Sequence, residues 1–182
     1  MQNYLSDDSL YAEQCNTLVL VNELIKRENL DYKPVFELVG GTAILLHGIE
    51  SVFTVDIDCA NKLTQKVSSI VSDFVSDMAS TVVLLPRLYQ TRLKLFEREM
   101  FDSISIMLLS VEDLIVTKLA AYRSKDKEDL IRTNLIDKCN IALVRRIIER
   151  ETPIDVRSKL MDRLSFVLSE RELFRCREEK LY

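Results

Sequence analysis

The chain has 182 residues, 47% of them hydrophobic and 30% charged, with a formal net charge of −4. That length suits one domain, or one domain with a helical extension, and is enough to bury a core. The composition is that of a soluble globular protein. It excludes a membrane span, which needs about 18 consecutive apolar residues, and a uniformly basic nucleic-acid binder.

The polar, acidic N-terminus MQNYLSDDSLYAEQ does not resemble a signal peptide, so a cytoplasmic location is expected. Cys15, Cys59, Cys139 and Cys176 are scattered without a CxxC pair, and His47 is the only histidine. A structural zinc is not expected, and reduced, mostly buried thiols are. Charge is uneven: residues 1–65 hold ten acids against four bases, residues 140–182 ten bases against eight acids.

In chain order, Ser9 to Glu28 is predicted as a helix, with Leu10, Leu18, Leu20, Val21, Leu24 and Ile25 largely on one stripe. Asp7, Asp8 and Ser9 favour its start and Pro34 prevents its continuation. Val35 to Val39 is a short buried strand. Gly40-Gly41 ends it, and a short helix follows from Thr42 to His47. Phe53 to Ala60 alternates as a strand. Lys66 to Met78 is predicted as an amphipathic helix and Thr81 to Leu85 as a strand stopped by Pro86. Arg92–Glu97 and Ser103–Leu109 form an antiparallel pair about a turn at Glu99–Asp102.

Ser110 with Glu112 and Asp113 starts a helix through LIVTKLAAY. Beyond the charged RSKDKED stretch the pattern stays helical. Candidates are Asn140–Arg150, Pro153–Leu168 and a last helix from Glu170. Arg145, Arg146, Arg150, Arg171, Arg175 and Arg177 alternate with glutamates there, which reads as a solvated face.

The chemistry concentrates in Val39–Cys59. All three glycines of the chain, Gly40, Gly41 and Gly48, lie in it. A glycine pair between a strand and a helix leaves backbone N–H groups facing outward, a phosphate site. The alternation of the next strand puts Asp56 and Asp58 on one face, about 7 Å apart. Two close carboxylates repel unless a cation lies between them. Oxygen-only ligation suits Mg²⁺ or Mn²⁺. His47, among leucines, reads as a packing or capping residue.

Gly40-Gly41, an apolar helix and Asp56-Ile57-Asp58 resemble the signature of the nucleotidyltransferase fold, and more narrowly the AbiEii-type toxin-like minimal nucleotidyltransferases of bacteria. Those also carry a Leu-x-x-x-Lys-Leu-x-Ala helix and an Arg-x-Lys-Asp-x-x-Asp segment. Here the matching residues are Leu114, Lys118, Leu119 and Ala121, then Arg123, Lys125, Asp126 and Asp129. The resemblance covers roughly residues 35–130. It implies an α/β (α+β) fold, a mixed sheet flanked by helices with a helical C-terminal part. The division expected is a nucleotidyltransferase-like unit over 1–135 and a helical extension over 136–182 packed on it.

The activity implied is Mg²⁺-dependent (or Mn²⁺-dependent) transfer of a nucleoside monophosphate from an NTP to an acceptor hydroxyl. Asp56 and Asp58 would hold the metal. Gly40, Gly41 and Thr42 would hold the triphosphate, with Arg123 and Lys125 adding positive charge. Lys118 and Asp126 would complete the catalytic set, paired or with Asp126 as a proton acceptor. The acceptor implied is RNA (tRNA) or protein, in a toxin–antitoxin or phage-defence setting with a cognate antitoxin and no membrane. The third acid common in such enzymes is absent from TVVLLP, and near SISIMLL only Asp102 could serve. A nucleotide-binding or protein-interaction module without turnover is the alternative.

Overall fold

The structure, a computed structural model, describes residues 7–49, 56–77 and 83–178. Among them a five-stranded mixed sheet is flanked by helices, an α+β fold with a helical C-terminal part. No described helix is long and apolar enough to cross a membrane.

Helix α1 spans Asp7–Arg27. Leu18, Val21 and Ile25 are its buried stripe, at the spacing the sequence shows. Leu20, expected on that stripe, is instead 42% exposed. Asn29, at φ 45°, turns the chain out of the helix. Strand β1 is Val35–Val39 and runs directly into α2, Gly40–Leu46. The helix thus begins at the glycine pair rather than at Thr42. Strand β2 is Ile57–Cys59. The rest of the expected strand, residues 53–55, lies outside the described residues.

Helix α3, Gln65–Val71, opens with the Thr64 hydroxyl accepting from the Val67 N–H. It is shorter than expected. A turn closed by Phe74 N–H to the Val71 carbonyl (2.9 Å) ends it, and β3, Val75–Ser76, follows. Ser72 and Asp73 supply the reason, since such side chains compete with helix for backbone groups. Met78, Thr81 and Val82 lie outside the described residues, and Val83–Leu85 belong to no strand.

After a 3₁₀ turn at Tyr89–Arg92, β4 (Lys94–Leu95) and β5 (Ser105–Leu108) make the expected antiparallel pair, with a turn at Glu99–Met100. The sheet order is β3-β2-β1-β5-β4. Strands β1 and β5 are parallel, β1 and β2 antiparallel.

Helix α4 (Val111–Ala121) is capped by Ser110, whose hydroxyl accepts from the Asp113 N–H. It ends at Tyr122, left-handed at φ 53°, which turns the chain into α5, Ser124–Arg132. Helix α6 is Ile141–Glu151, capped by Asn140. Helix α7 runs unbroken over Ile154–Glu178, where two helices were expected. No Gly or Pro stands between Leu168 and Glu170 to break it. Val144, Ile147, Leu160, Leu164 and Val167 from these helices join the same apolar cluster as Phe36 and Leu38 of the sheet. Arg163 donates to the carbonyls of Leu119 and Ala120, and Arg171 to that of Ile131. Arg171 is only 8% exposed and also pairs with Asp137, so it leaves the solvated face expected of it.

All four cysteines are free, and only Cys59 is buried; Cys176 is exposed. The expectation of mostly buried thiols therefore fails for three of them.

Candidate active site

The site is assembled by the meeting of β1, α2 and β2. Val39 pairs with Asp58 across the antiparallel ladder, which brings the first residue of α2 against the carboxylate of Asp58. Gly40 adopts φ +72°, and a Cβ there would lie 3.2 Å from Asp58 Oδ2. Glycine is needed for the backbone conformation and for the close approach.

The alternation read from the sequence holds where the structure describes it. Ile57 and Cys59 are 1% and 0% exposed, while Asp58 turns to the opposite face. Asp56 lies in a bend just before the strand and is exposed. Both carboxylates line one cavity of about 240 Å³ with Gly40 and Gly41. Burial pushes the Asp58 carboxyl above its ordinary value, and the Asp56 charge pushes it further; Lys125 and Arg123 pull against them. The structure thus holds two negative groups together in a half-enclosed recess, at a cost in charge repulsion.

The Thr42 side chain points away from the cavity. It is fully buried and does not line the cavity. Its hydroxyl lies 3.0 Å from Gln14 Oε1 and 3.0 Å from the Asp56 carbonyl, both acceptors. It ties α2 to α1 and to the bend that presents Asp56.

The opposite wall comes from α4 and α5. Lys118, Arg123, Lys125 and Asp126 all line the same cavity. Lys118 is buried at 5% exposure, although its helix leaves room for an exposed lysine by pattern alone. Its ammonium is 2.5 Å from Asp129 and 3.6 Å from Asp126. Asp126 accepts from the Arg123 backbone N–H (3.0 Å) and from Arg123 Nε (2.8 Å). Burial would raise the Asp126 carboxyl, but the hydrogen bonds from Arg123 and the charge of Lys118 outweigh it and hold it below the usual range. Arg123 itself keeps a side chain 69% exposed at the rim, as Lys125 does.

Asp129 is the residue that sequence reading left without a role. The signal was present: it stands three residues after Asp126, one turn along the same helix face. Thr117, Ala121 and Val83 complete the apolar part of the lining. Asp102, the one candidate for a third acid beside SISIMLL, lies elsewhere, bonded to Lys26, Asn22 and Ser103. Among the described residues no group of three or more His, Cys, Asp or Glu side chains is arranged to hold a metal. His47 packs and caps as expected: Nε2–H donates to the Leu109 carbonyl at 2.7 Å, and burial lowers its pKa.

A glycine-cornered strand–helix junction thus faces two aspartates, Asp58 on β2 and Asp56 in the bend just before it. The chain belongs to the family described as Nucleotidyltransferase of unknown function (DUF6036), whose sequence model matches residues 16–170. That span takes in the C-terminal part of α1 and most of α7, so the family's common core extends beyond the motif-bearing segment. No curated protein and no solved structure matches the chain.

Proposed function

We propose that the protein transfers a nucleoside monophosphate from an NTP to an acceptor hydroxyl, using Asp56 and Asp58 as ligands for Mg²⁺ or Mn²⁺. The observation that carries this reading is the convergence of both carboxylates, the glycine junction and the cationic wall on one cavity. The donor set fits a hard divalent ion: oxygen only, doubly negative, with the Asp58 carboxyl raised by burial and by its neighbour. Such an ion would supply charge neutralisation at the phosphoryl oxygens.

The chain's own groups divide the remaining work. Gly40 and Gly41 let backbone approach the phosphates without an intervening side chain. Arg123 and Lys125 face the negative charge that gathers on the departing pyrophosphate. Lys118, fixed by Asp129 and Asp126, presents a positioned cation in a dry wall. In the transfer the acceptor oxygen bonds to the α-phosphorus. The bond from that phosphorus to the bridging oxygen breaks, pyrophosphate leaves with the electron pair, and the hydroxyl proton passes to solvent. The narrower resemblance to AbiEii-type proteins favours RNA (tRNA) or protein as acceptor, and a toxin role with a cognate antitoxin.

One observation favours the second reading, a nucleotide-binding module without turnover. Asp126, the other acid lining the cavity, is engaged by Lys118 and Arg123. It is therefore not placed as a third metal ligand. Calorimetry with Mg²⁺ and each NTP, paired with a labelled-NTP transfer assay, separates the two. Asp58→Ala and Asp56→Ala should each lower transfer about 100-fold or more. Metal-dependent binding with no transfer to any RNA or protein supports the module. Binding of Mg²⁺–NTP by both variants at wild-type affinity refutes the site.

A further inference from the structure

Beyond the cavity wall stand three further basic side chains, Lys127, Lys159 and Arg163. Tyr122, the left-handed residue that ends α4, carries Arg163 Cζ at 4.2 Å and Lys127 Nζ at 4.7 Å from its ring centroid. Both lie within cation–π range, so one ring holds two like charges in fixed positions. Arg163 is also anchored through Nη1 to the Leu119 and Ala120 carbonyls. Lys159, one turn earlier on α7, lines a second recess of about 160 Å³ with Arg163 and Ala121. Ala121 lines the main cavity as well, so the two spaces adjoin. Among the described residues no ion pair joins Lys127, Lys159 or Arg163 to a carboxylate. With Lys125 and Arg123 at the cavity mouth, the latter paired with Asp126, five basic side chains border the two recesses on a chain whose net charge is −4.

Cations held in place by the Tyr122 ring and, for Arg163, by two backbone carbonyls form a preorganised positive surface that complements a polyanion. A solvated protein segment has no such regular charge, whereas a phosphodiester backbone presents one per nucleotide. We propose that the rim formed by Lys127, Arg163 and Lys159, continuing from Arg123 and Lys125, seats the backbone of a single-stranded nucleic acid whose hydroxyl enters the cavity as acceptor. The proposal rests on the transferase reading and narrows its acceptor from RNA or protein to nucleic acid. Tyr122 acts by orienting Arg163 and Lys127, while the strand contacts the cations themselves.

The test is fluorescence anisotropy of a labelled single-stranded RNA oligonucleotide on the full chain, without NTP or metal, across a salt series. Wild type is compared with Lys127→Glu/Lys159→Glu, whose folding is checked by its thermal midpoint. The double variant should bind at least about tenfold more weakly. Its log K against log salt slope should shrink by roughly 0.7 per lost phosphate contact. Its Mg²⁺–NTP affinity by calorimetry should match wild type. Equal RNA affinity and slope in the two proteins overturns the rim. So does label transfer to protein acceptors at equal rates in both. Because the RNA measurement uses neither metal nor NTP, failure of Mg²⁺–NTP binding sinks the transferase reading and leaves the rim standing on its own result.

Discussion

Two ionic clusters in this molecule are each built from acidic and basic side chains and arranged in opposite ways. Arg92 sits between Asp113 and Glu151, giving Nε and Nη2 to Asp113 (2.9 and 2.7 Å) and Nη1 and Nη2 to Glu151 (2.9 and 2.7 Å). Remaining acceptor capacity is met by the Ser110 hydroxyl on Asp113 and the Leu88 N–H on Glu151. Every carboxylate there meets a cation and a neutral donor. In the cavity, Asp56 and Asp58 stand together, and Lys125 and Arg123 act on Asp58 through space. No hydrogen bond from a described residue reaches the Asp58 carboxylate. The first cluster is arranged for stability, joining the start of α4 to the end of α6. The second sets two carboxylates side by side on one wall of a cavity and cations on the other, with Asp58 raised by burial and by the charge of Asp56.

The comparison can be broken most forcefully at Arg92. Arg92→Met leaves Asp113, which is fully buried, and Glu151 without their cation. Removing one partner of a buried ion cluster costs about 3–5 kcal/mol. A urea unfolding curve should show that loss, while Asp58→Asn, in the same assay, should lose nothing or gain. If Asp58→Asn destabilises as much as Arg92→Met, the cavity cluster is structural after all and the contrast collapses.

A smaller effect sharpens the same contrast at the glycine corner. Gly40→Ala forces a side chain into φ +72° and toward Asp58 Oδ2 at 3.2 Å. The left-handed conformation alone costs about 1–2 kcal/mol. The displaced carboxylate should also weaken Mg²⁺–NTP binding about tenfold, a tenfold change corresponding to about 1.4 kcal/mol. Gly48→Ala shares the positive φ (+68°) but has no atom within 4 Å of the added Cβ. It should show the stability loss without the binding loss, which calorimetry resolves.

How far the sequence discloses these two clusters follows from how local they are. Gly40 and Asp58 were legible because strand alternation and a glycine pair act over a few residues; Asp56 reaches the same cavity from the bend before the strand. Lys118 and Asp126 were legible only through the resemblance, since the left-handed turn at Tyr122 brings α5 back on α4 and no periodicity announces it. The Lys118–Asp129 pair spans that turn. Strand β3 is two residues long and gives no alternation to detect. Arg92, Asp113 and Glu151 are contributed by three separate elements, so nothing in the neighbourhood of any one of them marks the cluster. The inward turn of the Thr42 side chain to Gln14 and the Asp56 carbonyl is set by tertiary contacts that the local pattern does not carry.

The smallest expected effect concerns pH. Burial alone would raise the Glu151 carboxyl, yet the hydrogen bonds from Arg92 and the Leu88 N–H, with the charge of Arg92, hold it below its ordinary 4.5. A carboxylate depressed in the folded state adds stability that is fully present above its unfolded value and is lost as pH falls through the folded one. The chain should therefore keep this contribution down to about pH 4.5 and lose it below. Glu151→Gln removes that titration, so its thermal midpoint should fall less steeply than wild type as the pH drops below 4.5. Asp58→Asn should differ in sign. The raised Asp58 carboxyl costs stability once ionised, so its removal should help near neutral pH and make no difference in acid, where the wild-type group is already protonated. Parallel pH profiles for the two variants would show that the clusters are held by the same balance of forces.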